Sequence, residues 1–226
     1  MKTRLDSDKH CEKLCRESEP FSKYYRDVRP QLGELLIFHD TDLPPGIRAQ
    51  IQLQNGEIHL RYPEDALDLA HELGHQVQKV QGFPSIKGSS DAAALNSALL
   101  DPQVDLCLAK CGFDLAASRD REIQGAKQTL ERLGAPADRK TRAAWIANYV
   151  AFILDRHFFG DAPGGSSFST WFTSRYPEIV REAERVAAEV ISMGFDTPEN
   201  MFKALERARV MLGAEGVVEY FDRRGL

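Results

Sequence analysis

The run His71-Glu72-Leu73-Gly74-His75 sets two imidazoles four residues apart, with a carboxylate directly after the first. Positions i and i+4 of an α-helix share a face. Both rings can then give nitrogen to one Zn²⁺ at the ~2.0–2.1 Å typical of such bonds. Glu72 is turned off that line, toward a water on the metal rather than the metal itself. Zinc brings the pKa of such a water toward ~7, and a carboxylate beside it acts as general base and then as general acid. The chemistry expected is hydrolysis of a peptide bond, with Zn²⁺ as the cofactor and Glu72 as the catalytic group. The plain alternative is a pair of structural histidines. Against it stands the setting, because Ala70, Leu73 and Gly74 make the uncharged surface of a helix that is buried.

A catalytic zinc takes three protein ligands and keeps a fourth position open. Asp101 and Asp105 stand four apart amid Leu99, Leu100, Val104, Leu106 and Leu108. Carboxylates in so apolar a stretch are costly unless paired or bound to a metal. At least one of them is expected at the site, and the other has a natural place on a ligand histidine's second ring nitrogen. Residue types alone leave open which is the ligand. Asp101 also reads as a cap for a helix starting at Pro102. Tyr149 and His157, with Arg156, share a later helix and are candidates for stabilising the tetrahedral transition state. A core tyrosine with a satisfied hydroxyl is the competing reading of Tyr149.

These side chains need a scaffold. Glu34 to His39 is a short apolar run, read as a strand. Ile47 to Leu53 alternates, Asn55-Gly56 follows, and Ile58 and Leu60 flank His59. Asn-Gly between alternating runs signals a hairpin, so residues 34–61 are predicted to form a small, largely antiparallel sheet. Tyr62-Pro63-Glu64-Asp65 opens the motif helix, which runs to about Val80 and stops at Gly82. Ser85 to Ser90 reads as a loop. A helix from Asp91 to Leu100 is expected to break at Asp101-Pro102 and resume to Lys110. Further helices are predicted over about 119–133, 138–158, 170–193 with a break at Pro177, and from Thr197 to Gly213. The fold class is α+β, with an antiparallel sheet or hairpin packed on the HExxH helix and a mainly α-helical C-terminal half. The divisions are an N-terminal helical segment 1–32, a metal-binding core 33–117 and a helical region 118–226.

The motif helix resembles that of the zincin superfamily of metallopeptidases. The downstream acid pair is similar to the gluzincin arrangement, in which a ligand acid is followed four residues later by an acid that orients the first histidine. That resemblance implies Asp101 as the ligand and Asp105 as the partner of His71. Aspartate stands here in place of the gluzincin glutamate, and Pro102 follows it. The aspzincin Gly-Thr-x-Asp signature is absent, and Gln81 and Gly82 stand where a metzincin would continue toward its third histidine. Strand, hairpin and His-Glu-Leu-Gly-His in that order look most like small cytoplasmic ImmA/IrrE-type endopeptidases. The likeness covers about residues 33–115 and implies a zincin-like core. In zincins an edge strand beside the motif helix binds extended peptide, a role open to Ile47 to Leu53 or Glu57 to Arg61; a hairpin that only covers the core is the other reading.

The chain has 226 residues, 42% of them hydrophobic, enough for a stable core without disulfides. A net charge of −5 offers no basic footprint for nucleic acid. No apolar run reaches the ~18 residues of a membrane span, and the charged start lacks a secretory h-region. Four cysteines without such a signal fit the cytoplasm. The expected partner is therefore a protein or peptide substrate, with no nucleic acid and no membrane, and the oligomeric state is open. Cys11, Cys15, Cys107 and Cys111 form two i, i+4 pairs that either hold a second zinc or are buried free thiols. His39 and His59 lie on strands near the motif and can line the cleft. The rival to an enzyme is a regulatory binding module that keeps the fold and uses the metal as a staple.

Overall fold

The computed structural model describes residues 1–220 except 45–46, 53–54, 64, 89 and 137, and leaves out the side chains of 90, 91 and 133. The chain is α+β and separates into two compact units. Among the described residues, one comprises Met1–Gly82 and Val104–Phe113; the other comprises Phe83–Gln103 and the chain from Asp114 to Tyr220.

In the first unit, β1 (Lys2–Arg4), β2 (Leu36–Asp40), β3 (Ala49–Gln52) and β4 (Glu57–Leu60) form one sheet in the order β1-β2-β4-β3. The expected hairpin is present, with Ile51 opposite Ile58 and Gly56 at a φ of 72° in its turn. Only glycine adopts that backbone without strain. The Asn55 side chain accepts the Glu57 amide and closes the turn. Leu53, the expected end of β3, lies outside the described residues. The sheet is mixed rather than antiparallel, because β2 pairs parallel to β4. Burial explains the order. Ile58 sits in register with Ile37 on one side and Ile51 on the other, and both Ile37 and Ile58 are fully buried. The strand β1, in a region expected to be helical, adds antiparallel to β2. It is exposed along its length, so no apolar alternation marks it.

Helices α1 (Ser7–Glu17) and α2 (Glu19–Val28) pack on each other, and α2 packs on α3 (Ala66–Gln81), which also lies against β3 and β4. Helix α3 starts later than the Pro-Glu-Asp run suggests. Asp65 is its N-cap and accepts the Leu67 amide. Glu64 lies outside the described residues.

The second unit holds a large cluster of buried aliphatic and aromatic residues. Helix α4 (Ser90–Cys111) begins in it and ends in the first unit. The expected break at Asp101-Pro102 does not occur, and Pro102 is buried inside one continuous helix. An interior proline forgoes a backbone hydrogen bond and costs ~3 kcal/mol. Burial of Leu95, Ala98, Leu99, Val104 and Leu108 on the same helix offsets that cost. Asp101 is consequently not a helix cap. Helices α5 (Ala116–Leu133), α6 (Arg139–Phe159), α7 (Gly165–Arg175), α8 (Pro177–Met193) and α9 (Pro198–Leu212) follow. Asp138 and Thr197 cap α6 and α9 by accepting the Thr141 and Asn200 amides. The expected 85–90 loop is instead largely a strand, β5 (Pro84–Lys87), paired antiparallel with β6 (Val217–Tyr220). Asn96 binds both the amide and the carbonyl of Ile86 on β5. Among the described residues no helix is long and apolar enough to cross a membrane.

Candidate metal centre

Helix α3 divides its circumference among three tasks. Leu69, Ala70 and Leu73 are fully buried. Gln76 turns to the sheet and donates to the Gly56 carbonyl at 2.7 Å. Gly74 turns to α4, where an added Cβ would meet Val104 Cγ1 at 2.4 Å. The helices approach this closely because position 74 has no side chain. Val104 directly precedes Asp105 on α4, so this contact brings the Asp105 carboxylate to the histidine face.

That face carries His71 and His75 with their Nε2 atoms 3.2 Å apart. His71 Nδ1 is 3.0 Å from Asp105 Oδ1. A carboxylate only accepts, so Nδ1 carries the proton and Nε2 keeps its lone pair. His75 is fixed in the same sense. Its Nδ1 donates to Gln78 Oε1 at 2.9 Å, and Gln78 is buried. Two lone pairs thus converge on one point. Tetrahedral coordination with bonds of ~2.0–2.1 Å requires ligand atoms about 3.3 Å apart, close to the observed spacing. One ligand atom from each of His71, His75 and Asp101 lies within 4.8 Å of the others, a group that could hold a metal. Among the described residues this is the one group of three or more His, Cys, Asp or Glu so arranged. All three residues are half-buried, open enough for exchange with solvent. Glu72, one residue past His71, is 7% exposed.

The other residues singled out from the sequence fall elsewhere. Tyr149 is 4% exposed, stacks on Phe172 with ring centroids 4.6 Å apart, and has its hydroxyl 3.2 Å from Ser169 Oγ. That is a core tyrosine of the second unit. His157 is exposed beside Phe158, and Arg156 pairs with Asp161. His59 is buried in the sheet, with Nδ1 at Asp40, Nε2 at Glu57 and its ring stacked on Phe38. Both nitrogens are engaged by carboxylates within the sheet. His39 makes ring contacts with His10 and Tyr62.

All four cysteines are free. Cys11 meets Tyr25 and Cys15 meets Ser22, whereas Cys107 and Cys111 act on Tyr24. At 100° per residue, Ser22 and Tyr25 lie on one side of α2 and Tyr24 on the other. The two pairs face different sides of α2, and among the described residues they form no group of metal-ligand spacing. Burial raises the Cys11 thiol to about 11, partly offset by the Tyr25 hydroxyl.

Two contributors were not read from the sequence. Gln78 is a polar residue three places after a ligand histidine, and that spacing was its signal. Gly74 was visible as a small residue, but its role depends on Val104, thirty positions away. In comparisons with known proteins, no family model, no curated protein and no solved structure matches this chain.

Proposed function

We propose that the chain is a zinc-dependent peptidase with zincin-like packing, its metal held by His71, His75 and Asp101. The observation that carries this reading is the pair of Nε2 atoms 3.2 Å apart, each on a ring whose Nδ1 is bound to an acceptor. Two neutral imidazoles and a carboxylate are a zinc donor set, and a set of three leaves a position for substrate or water. Bound there, zinc supplies Lewis acidity, polarising a peptide carbonyl and acidifying a water.

The chain's own residues do the rest. Glu72 takes a proton from the attacking water and delivers it to the amine nitrogen as the peptide C–N bond breaks. Asp105 keeps the proton on His71 Nδ1 and adds negative charge behind that ring, while Gln78 orients His75 without adding charge. Pairing with Asp105 also favours Asp101 over Asp105 as the ligand. The edge strand β3, packed beside α3, offers open backbone groups to an extended peptide. These features agree with the ImmA/IrrE-like resemblance and with a cytoplasmic protein or peptide substrate.

Elemental analysis of untagged protein should find about one zinc per chain. Glu72→Gln should keep that zinc and lose peptide hydrolysis by about 10²–10⁴-fold. Hydrolysis at the parental rate would remove the mechanism. Protein that takes up no zinc would leave the binding-module reading in its place.

A further inference from the structure

Arg48 lies just before the edge strand β3, and Asp68 lies in the first turn of α3. Arg48 Nε donates to Asp68 Oδ2 at 2.8 Å, and Nη2 donates to the Pro63 carbonyl at 2.9 Å. Asp68 is three residues before His71 and seven before His75, a spacing that keeps all three on one helix face. The guanidinium is therefore anchored on the metal-bearing side of α3, beside the strand edge available to a peptide.

A guanidinium has five N–H donors arranged along its edges. Here the edge holding Nε and Nη2 is used, which leaves the Nη1–Nη2 end. Among the described residues the Arg48 side chain makes no further hydrogen bond. Its side chain is 41% exposed, whereas that of Asp68 is 11% exposed. The acid is the more sheltered anchor and the arginine the more exposed partner. An end-on fork of two parallel N–H groups matches the two oxygens of a carboxylate. Asp68 cancels the net charge of Arg48, so selection here rests on paired hydrogen bonds rather than on long-range attraction.

We propose that Arg48 is a specificity-determining residue that receives a carboxylate of the peptide substrate. This rests on the peptidase reading above. Asp68 lies roughly 5–10 Å along the helix axis from the two histidines, at 1.5 Å per residue. An extended peptide advances about 3.3 Å per residue. The carboxylate belongs about two or three residues from the bond that is cut. Two sources share this chemistry, an internal Asp or Glu side chain and the peptide's own C-terminus.

The test is a set of fluorogenic decapeptides carrying Glu, Gln or Lys at each of four positions on either side of the cleaved bond. Each is made as the free acid and as the C-terminal amide. With zinc-loaded parental protein, Glu should exceed Gln about tenfold in kcat/KM at one position; a preference for free acid over amide assigns the terminal carboxylate instead. Arg48→Gln should bring that ratio to about one with zinc content unchanged. Arg48→Lys should restore part of it, since an ammonium gives charge without a fork. A merely structural role would lower the Glu and Gln peptides equally and keep the ratio, which overturns the proposal. Cleavage with no acid preference in the parental protein overturns it and leaves the peptidase reading standing. Failure of zinc-loaded parental protein to cut any peptide removes both.

Discussion

Among the described residues, the buried polar side chains Asp40, His59, Glu72, Gln76 and Gln78 belong to the first unit, and Ser85 and Arg119 to the second. The second unit instead has one contiguous cluster of aliphatic and aromatic residues from Phe83 to Val218. The difference reflects two uses of burial. In the second unit it removes apolar surface from water at about 25 cal/mol per Å². In the first, polar groups are buried and then satisfied, which aims them. Asp40 receives the Asp42 amide and His59, and the amide is the larger cause of its carboxyl lying below the ordinary range. Gln76 holds the hairpin turn, and Gln78 holds a ligand histidine. Burial with defined partners fixes orientation as well as position, as a metal site requires.

The sharpest way to break this comparison lies in the second unit. Phe172 is 1% exposed and packs against Tyr149, Trp145 and Phe168. Phe172→Ala should cost about 3–5 kcal/mol in denaturant unfolding. Zinc affinity, measured where the protein stays folded, should stay within a few-fold of the parental value even though Asp101 belongs to the same unit; a larger loss would show that the hydrophobic core also sets the site. Gln78→Ala should do the reverse, lowering zinc affinity about 10–100-fold in a chelator competition. Gln78→Glu, which restores an acceptor, should recover much of that loss. Parental affinity in Gln78→Ala would mean that the amide does not orient His75.

Gly74 joins the two effects. Gly74→Ala pushes a methyl group into Val104 and should cost about 1–3 kcal/mol, with zinc affinity falling as α4 is displaced. Val104→Ala made in the same chain should return part of both; simple additivity would show that the two residues do not couple. The smallest effect concerns Cys11. With its thiol at about 11, roughly a thousandth is thiolate at pH 8. A disulfide reagent at that pH should spare Cys11 and label the exposed Cys107, mapped by mass spectrometry. Rapid labelling of Cys11 in folded protein would contradict its burial.

Local chemistry was legible in the sequence wherever neighbours along the chain decide the outcome. The motif places His71 and His75 on one face because helical periodicity alone does so. Asn55-Gly56 marked its hairpin, Thr197-Pro198 its helix start and Gly82 a helix end because turns and caps are set within a few residues. Tertiary structure decided the rest. The parallel register of β2 with β4, and β5 meeting β6 over 130 positions away, join segments with no local sign of each other. Helix α4 runs through Pro102 because distributed burial outweighs one lost hydrogen bond. The sequence named Asp101 and Asp105 together. Asp105 reaches the His71 ring through the close approach of α3 and α4 at Gly74 and Val104, while Asp101 instead falls in one group with His71 and His75. A side chain's type states what it can bind, and only packing between distant segments determines what it reaches.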